Sequence, residues 1–275
     1  MKTTLVTLLL TCLMIQTSLA QLVENSGLIV PKRSAEPFLF STTTLTPEDL
    51  KWSLDYSSSY GEKVTGPFGQ EGVGQQVGVK GYLGKQFTVY AHAAVGNTFS
   101  SKVSSAQQVE VIRDFIGGKK IGGLRVGLGL GMRRDYSSTN SILSRATIAY
   151  DAPRWKTGGN ILFEKAIAAN RDKIDIISSI GFHYRLKGKF YGGLEAVGED
   201  LEGLWDAEEA EGGAKILIGP SLNMTTKNNR LSFALSGGPV FYATSNPITN
   251  NQALRELPNQ SGLSLRARVI FNLSN

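Results

Sequence analysis

Residues 121–133 read IGGLRVGLGLGMR, and the alternation within this stretch decides the fold. One set of alternate positions is apolar: Leu124, Val126, Leu128, Leu130 and Met132. The other set is basic or glycine: Arg125, Gly127, Gly129, Gly131 and Arg133. Successive side chains of a strand point to opposite faces, so this period of two predicts a strand with one apolar and one polar face. A helix would scatter the same leucines around its circumference.

The same alternation recurs along the chain. It is clear in residues 173–186, 214–224, 231–236 and 263–273, and weaker in 50–58, 71–83, 86–96, 106–116, 141–150, 156–166 and 189–198. These segments predict an all-β protein of about twelve strands, most of them about 9–15 residues long. A tilted strand needs about 9–11 residues to cross a bilayer, whereas strands of soluble proteins average about 5–6. The lengths therefore favour a membrane-spanning sheet.

The segment 106–116 leaves the strand count open. Val109, Ile112 and Ile116 also fit the apolar stripe of a helix, and a strand here would direct Arg113 toward lipid. If the segment were a helix, we would expect ten strands instead of twelve.

The connections between the segments alternate in length. Short turns are expected at 84–85, 117–120, 151–154, 187–189 and 226–229, and longer connections at 59–70, 97–105, 134–140, 199–212 and 244–261. The connection 167–171 is short and weakens this regularity. Short turns at one end and long loops at the other are typical of outer-membrane barrels. With an even number of strands, both ends of the barrel chain lie on the short-turn side.

The first twenty residues have the pattern of a secretory signal. Lys2 precedes an apolar run over residues 5–15, and Ser18-Leu19-Ala20 provides small residues before a cleavage site at Gln21. Cys12, the single cysteine, lies inside this segment, so we expect no disulfide in the mature chain. Residues 21–49 lack alternation and are predicted to be a periplasmic N-terminal extension, with a helix starting at 46–49. The barrel domain is expected to span residues 50–275.

The composition agrees with this organisation. The 31 glycines among 275 residues are about 11%, against about 7% in an average protein, and they favour strands and turns. Beyond the N-terminus no stretch has the roughly 18 apolar residues of a transmembrane helix, which excludes a polytopic helical protein.

The signal segment, the alternating strands and the final stretch LRARVIFNL (265–273) resemble the outer-membrane β-barrel proteins of Gram-negative bacteria. That family normally ends on an aromatic residue, whereas here Phe271 is followed by four further residues. The resemblance implies a closed antiparallel transmembrane β-barrel in the outer membrane with its N-terminus in the periplasm. It also implies insertion by the barrel-assembly machinery and contact with membrane lipid and lipopolysaccharide.

The polar faces of the predicted strands point into the lumen. They carry ten basic residues: Lys51, Lys80, Arg125, Arg133, Arg145, Lys173, Arg185, Lys215, Arg266 and Arg268. The acidic residues on the same faces are Asp55, Glu164, Asp175 and Glu195, and the two histidines, His92 and His183, also point inward. Basic side chains around a pore favour anions. We therefore predict a passive channel for small polar or anionic solutes, such as acidic sugars.

The residues predicted to line the pore are Lys80, Arg125, Arg133, Arg145, Lys173, His183, Arg185, Glu195, Lys215, Arg266 and Arg268. The alternative is that the charges pair and fill a small lumen, with Glu164 facing Lys173 and Arg185 facing Tyr191. The protein would then be a structural or interaction barrel.

Two further features of the sequence bear on chemistry. The segment 199–212 contains seven carboxylates and no basic residue, but its spacing does not match an EF-hand loop, so a solvated acidic loop is expected. A turn centred on Gly188 places His183 opposite Gly193 and diagonal to Glu195, which leaves open a lipid hydrolase with a histidine base. No nucleophilic serine, catalytic residue, metal site or cofactor is assigned. Dispersed basic residues also exclude nucleic acid as a partner.

Overall fold

A computed structural model describes residues 36–49, 51–64, 66–97, 103–168, 174–199, 201, 214–242 and 261–273. The predicted signal segment and most of the acidic segment 199–212 lie outside these residues. The strands are β1 (Trp52–Glu62), β2 (Gly72–Gly84), β3 (Phe87–Asn97), β4 (Val103–Ile116), β5 (Gly123–Arg134), β6 (Asn140–Asp151), β7 (Trp155–Ala166), β8 (Asp175–Lys187), β9 (Phe190–Glu199), β10 (Lys215–Thr225), β11 (Leu231–Tyr242) and β12 (Gly262–Leu273). A single 3₁₀ turn, Gly66–Phe68, lies between β1 and β2. No helix in the described ranges is long and apolar enough to cross a membrane.

The twelve strands form a closed antiparallel barrel in which each strand pairs with its neighbours in the chain and β1 pairs with β12. The predicted strand number of twelve is therefore confirmed, and the alternative of ten is wrong. The doubtful segment 106–116 belongs to β4, because its backbone pairs with β3 and β5 along almost its whole length. Arg113 accordingly projects from the outer face.

The ends of the strands agree with the expected arrangement of turns. Trp52 at the start of β1 pairs with both Leu273 at the end of β12 and Gly81 near the β2–β3 turn. Both ends of the barrel chain therefore lie at the short-turn end. The expectation of a short connection at 167–171 is wrong, because β8 begins only at Asp175. Ile174 continues the apolar alternation although it precedes the hydrogen-bonded ladder.

The apolar faces of the strands point away from the barrel and form a continuous belt. Exposed members of this belt include Leu128, Leu130, Ile142, Ile180, Leu194 and Ile218. Large apolar side chains exposed around a whole molecule are stable in lipid and are a liability in water. The belt therefore explains how the mean hydropathy of the chain is only -0.09 although the protein has an extensive apolar surface.

The belt predicts that a charged side chain on the outer face lowers stability more at the middle of the bilayer than near its surface. Ile180, 60% exposed, lies near the middle of β8, and Leu186, 58% exposed, lies on the same face near its short-turn end. We expect Ile180→Arg to lower the free energy of unfolding by about 2–4 kcal/mol and Leu186→Arg by about 0–1 kcal/mol. Urea unfolding in lipid vesicles measures both. Equal losses at the two positions would contradict a lipid-facing belt.

Residues 36–49, called the inner segment below, run from the interior of the barrel, where residues 36–46 are buried or half-buried, to the short-turn end, where Pro47 and Glu48 are exposed. Phe38, Leu39 and Leu45 are buried, with 3% exposure or less. The predicted helix at 46–49 is a single turn, in which the Asp49 amide donates to the Thr46 carbonyl at 3.1 Å. A longer helix has no room here because β1 begins at Trp52. The lumen therefore contains a stretch of the chain itself.

Candidate functional site

The inner segment is held to the barrel wall by buried ion pairs. The Glu36 carboxylate pairs with the Lys80 ammonium, and the guanidinium of Arg268 lies 4.0 Å from the same carboxylate. Lys80 also donates to the carbonyl of Thr43, and Arg268 is 3.9 Å from Asp55. Two predicted pore-lining cations are thus engaged by the inner segment.

The backbone of the inner segment finds its hydrogen-bond partners among side chains of the wall. The amides of Leu39 and Phe40 donate to the Glu195 carboxylate at 2.9 and 2.8 Å. The Thr42 amide donates to the Asn160 side-chain carbonyl at 2.6 Å, and the Asn160 amide returns a bond to the Thr42 carbonyl at 2.8 Å. Buried backbone groups need such partners, so the polar inner face of the barrel stabilises an irregular chain without a sheet ladder.

Phe38 occupies a recess formed by glycines of the wall. A Cβ atom on Gly181 would lie only 2.4 Å from the Phe38 ring, and one on Gly158 would lie 3.0 Å from it. The ring also contacts the imidazole of His183, with centroids 4.7 Å apart. The missing side chains therefore create the space into which the inner segment packs.

The structure places ten of the eleven predicted pore-lining residues on the inner face of the barrel. They are Lys80, Arg125, Arg133, Arg145, His183, Arg185, Glu195, Lys215, Arg266 and Arg268. Lys173 lies outside the described residues. Lys51, also counted as inward, is exposed and precedes β1. The expected registers of His183 with Gly193 and of Arg185 with Tyr191 are confirmed.

The predicted excess of positive charge in the lumen is wrong, because more carboxylates face inward than the sequence indicated. Arg145 makes a bidentate pair with Glu110 at 2.7 and 2.8 Å. The other pairs on the wall are Arg125–Asp151 at 2.8 Å, Arg133–Glu164 at 3.0 Å and Lys215–Glu199 at 3.5 Å. Glu164 is therefore paired with Arg133, and its register partner is Asp175 in place of Lys173.

The Arg145–Glu110 pair predicts a large loss of stability when one partner is removed. In Glu110→Gln the buried guanidinium loses its counter-charge, and we expect unfolding to become easier by about 3–5 kcal/mol. Urea unfolding in vesicles measures the change, with the exposed Glu62→Gln as a neutral control. Glu110→Leu combined with Arg145→Met should recover most of the stability, since no charge is left buried. A double variant as unstable as the single one would refute this explanation.

A polar cavity of about 170 Å³ remains between the inner segment and the wall formed by β1–β6, β12 and their neighbours. Its charged lining consists of Arg133, Arg145, Arg266, Arg268 and Glu36, and its neutral polar lining includes Ser57, Gln76, Tyr90, His92, Gln108 and Tyr136. Burial raises the pKa of Tyr136, which lies in the β5–β6 connection, so its hydroxyl stays a neutral donor. The cavity therefore presents guanidinium and hydroxyl donors to a small solute.

Arg266 distinguishes this cavity from the rest of the lumen. Its guanidinium donates to the carbonyls of Leu39 and Pro67, both at 3.3 Å, and lies over the Phe40 ring at 4.7 Å. None of the carboxylates in the described part of the chain pairs with it. Arg266 therefore contributes a positive charge that the wall does not neutralise.

Apolar side chains fill the lumen beside the cavity, near the long-connection end. The cluster contains Val64, Phe68, Leu143, Leu162, Ile177, Val197, Leu217 and Val240, and Phe40 packs against it. Phe68 enters from the β1–β2 connection, where its carbonyl accepts a hydrogen bond from Ser264. Sequence periodicity missed this cluster because its wall residues are apolar side chains on the otherwise polar inner face. The lumen is thus filled beside the cavity.

The histidine network does not have the geometry of a hydrolase. His183 Nε2 lies 2.8 Å from Ser221 Oγ, and the Ser221 hydroxyl donates to Glu195. With that proton directed to Glu195, Nε2 must donate to the serine and cannot remove its proton as a general base would. His183 is also fully buried. Within the described ranges no three His, Cys, Asp or Glu side chains are arranged to hold a metal ion.

A closed twelve-stranded antiparallel barrel with an apolar outer belt and a polar inner face has the architecture of outer-membrane β-barrel proteins. Among solved structures, the NanC porin is similar in fold, with 11% identity, a TM-score of 0.58 and coverage of 80% of this chain and 100% of that chain. The KdgM porin gives 10% identity, a TM-score of 0.54 and coverage of 80% and 99%. The same porin in complex with disordered oligogalacturonate also has a TM-score of 0.54. No family model and no curated protein match the sequence.

Proposed function

We propose that the protein is a passive outer-membrane channel for small anionic solutes, closed by its own inner segment in the conformation described. The observation that carries this proposal is the cavity lined by Arg133, Arg145, Arg266 and Arg268. Basic groups inside a low-dielectric wall act strongly on a passing anion. Arg266, which has no carboxylate partner in the described ranges, supplies the net attraction.

Carboxylated sugars are the solute class that fits this lining. A guanidinium binds a carboxylate with two parallel hydrogen bonds, and the serine, glutamine and tyrosine side chains around the cavity suit sugar hydroxyl groups. The oligogalacturonate complex of the structurally similar KdgM porin supports the same choice. Neutral sugars would use the hydroxyl donors alone and would gain less from the arginines.

We further propose that the short turns and both ends of the barrel chain face the periplasm. In outer-membrane barrels the short turns are periplasmic and the longer loops are extracellular. On this orientation the first twenty residues act as a cleaved signal, the β12 segment is read by the barrel-assembly machinery, and the long-connection end contacts lipopolysaccharide.

Solute entry into proteoliposomes tests the proposal. Galacturonate and galactose are nearly equal in size and differ in the carboxylate, so osmotic swelling compares charge at constant volume. For the Phe38→Ala variant, in which the inner segment loses its main apolar anchor, we expect galacturonate to enter at least about three times faster than galactose. Equal rates for the two sugars would contradict an anionic preference.

The second candidate function is an interaction or structural barrel with a permanently filled lumen. The apolar cluster around Phe68 and the paired charges of the wall favour it. This candidate predicts that neither sugar enters, in the wild type or in any variant of the inner segment.

A further inference from the structure

The short-turn end of the barrel carries a ring of basic side chains. Each of the five turns that join β2–β3, β4–β5, β6–β7, β8–β9 and β10–β11 has a lysine or arginine in the turn or at its edge, and none of the turns contains Asp or Glu. These residues and Lys51, which precedes β1, form the basic ring: Lys51, Lys85, Lys119, Lys120, Arg154, Lys187, Lys189, Lys227 and Arg230. Because the barrel is closed, the ring surrounds its whole circumference.

The basic ring is accessible from the surface. Lys85, Lys119, Arg154 and Lys227 are all exposed, whereas Asp151, the carboxylate nearest to the β6–β7 turn, is buried against Arg125. Glu48 is exposed at this end, and its carboxylate accepts a hydrogen bond from the Ile121 amide at 3.0 Å. The short-turn end therefore presents a strongly positive rim where the apolar belt ends.

Arg113 extends this positive charge into the belt itself. It projects from the outer face of β4, close to the short-turn end, with Phe87 and Leu128 as its partners on the adjacent strands. Its guanidinium carbon lies 5.2 Å from the Phe87 ring centroid and 5.3 Å from that of Phe115. No carboxylate of the described residues pairs with it. A cation on the lipid face lowers stability least near the membrane–water interface, where its charged group reaches the lipid headgroups.

We propose that the basic ring and Arg113 bind the phosphate groups of anionic phospholipids in the leaflet at the short-turn end. Headgroup phosphates are the anions found at this depth around the whole barrel, and both guanidinium and ammonium groups bind them. A protein partner would contact one sector, whereas the basic ring has no preferred side. On the proposed orientation this is the periplasmic leaflet. Around the short-turn end of β4, this phosphate-binding surface consists of Arg113 in β4 and of Lys85 and Lys119 in the adjacent turns.

Tryptophan quenching by brominated lipid tests this proposal. Trp52 and Trp155 both begin strands at the short-turn end on the outer face, and Trp205→Phe removes the third tryptophan of the chain. The full-length protein is reconstituted in two kinds of phosphatidylcholine vesicle. One contains dibrominated phosphatidylglycerol, and the other contains the same fraction of dibrominated phosphatidylcholine. We expect the anionic lipid to quench at least about twice as strongly, and high salt to weaken this preference.

A matched pair of variants locates the binding surface. Lys85→Gln, Arg113→Gln and Lys119→Gln together should at least halve the preference for phosphatidylglycerol. Lys63→Gln, Arg134→Gln and Lys165→Gln remove the same charge from exposed positions at the opposite end and should leave the preference unchanged. Heat-modifiable migration on a gel verifies that both variants are folded.

Three outcomes would overturn the proposal. They are equal quenching by the two lipids in the wild type, equal losses in the two variants, and loss of the preference when inorganic phosphate replaces chloride at constant ionic strength. The last would indicate a site for a free anion. Because the two vesicle leaflets have the same composition, the result depends neither on the proposed orientation nor on whether the barrel conducts.

Discussion

Phe38→Ala is expected to raise the ion conductance of the protein in planar bilayers by at least about tenfold. The side chain is 1% exposed, and truncating a buried phenylalanine costs about 3–5 kcal/mol. Every 1.4 kcal/mol lost from the bound state shifts the population of a two-state equilibrium about tenfold. The inner segment should therefore leave its recess much more often, and single-channel recordings measure the resulting open time.

A control and an independent variant separate release of the inner segment from general loosening of the barrel. Phe271→Ala removes the same side chain from the outer face and should leave the conductance unchanged. Gly181→Val fills the recess from the wall side, because a Cβ atom at this position would lie 2.4 Å from the Phe38 ring. It should open the channel although the inner segment keeps its sequence. If Phe38→Ala and Gly181→Val both conduct no more than the wild type, the inner segment is not the closing element.

Arg266→Glu is expected to reverse the ion preference of the opened channel. Arg266 is the cavity arginine without a carboxylate partner in the described ranges, so its replacement changes the net charge of the cavity without leaving a carboxylate of the wall unpaired. In the Phe38→Ala background, the ratio of chloride to potassium permeability should fall by at least about fivefold and drop below one. The reversal potential under a salt gradient measures this ratio.

The matched control for this prediction is Arg134→Glu, which makes the same charge change on an exposed residue at the end of β5. It should leave the reversal potential close to that of the background protein. Arg266→Gln should give an intermediate ratio. A preference for anions that survives Arg266→Glu would show that selectivity is set elsewhere in the barrel.

The outer face of the barrel could be predicted from sequence because lipid imposes a regular requirement. Each lipid-facing position must be apolar, and a strand repeats that position every second residue. The alternation of Leu128 and Leu130 with glycine therefore identified a strand and its outer face, and the turn centred on Gly188 predicted the pairing of His183 with Gly193. Only the local hairpin geometry was needed for those assignments.

The contents of the lumen could not be predicted in this way, because no periodic requirement applies there. The inner segment has an irregular backbone, and its partners are far away in sequence. Glu36 pairs with Lys80 across 44 residues, and Leu39 binds Glu195 across 156 residues. The single sequence feature that marks the inner segment is the lack of alternation over residues 21–49.

The prediction of a positive excess in the lumen was wrong for a related reason. Glu110 lies in the segment that also fitted a helical stripe, and Asp151 lies at a strand end that was assigned to a turn. Glu110 neutralises Arg145 and Asp151 neutralises Arg125, two of the arginines that the sequence predicts in the lumen. Strand ends and ambiguous segments thus decide the net charge of a small lumen, although they hardly affect the prediction of the barrel itself.

Locking the inner segment to the wall tests the central claim most directly. The hydroxyl oxygens of Ser41 and Ser179 are 3.0 Å apart and both side chains are buried, so Ser41→Cys with Ser179→Cys places two thiols within reach of a disulfide. The pair is introduced in the Phe38→Ala background with Cys12→Ser, which removes the single native cysteine. Conductance is recorded before and after reduction. We predict a closed barrel when the disulfide is formed and an anion-selective conductance after reduction, and an oxidised protein that conducts as well as the reduced one would contradict the account.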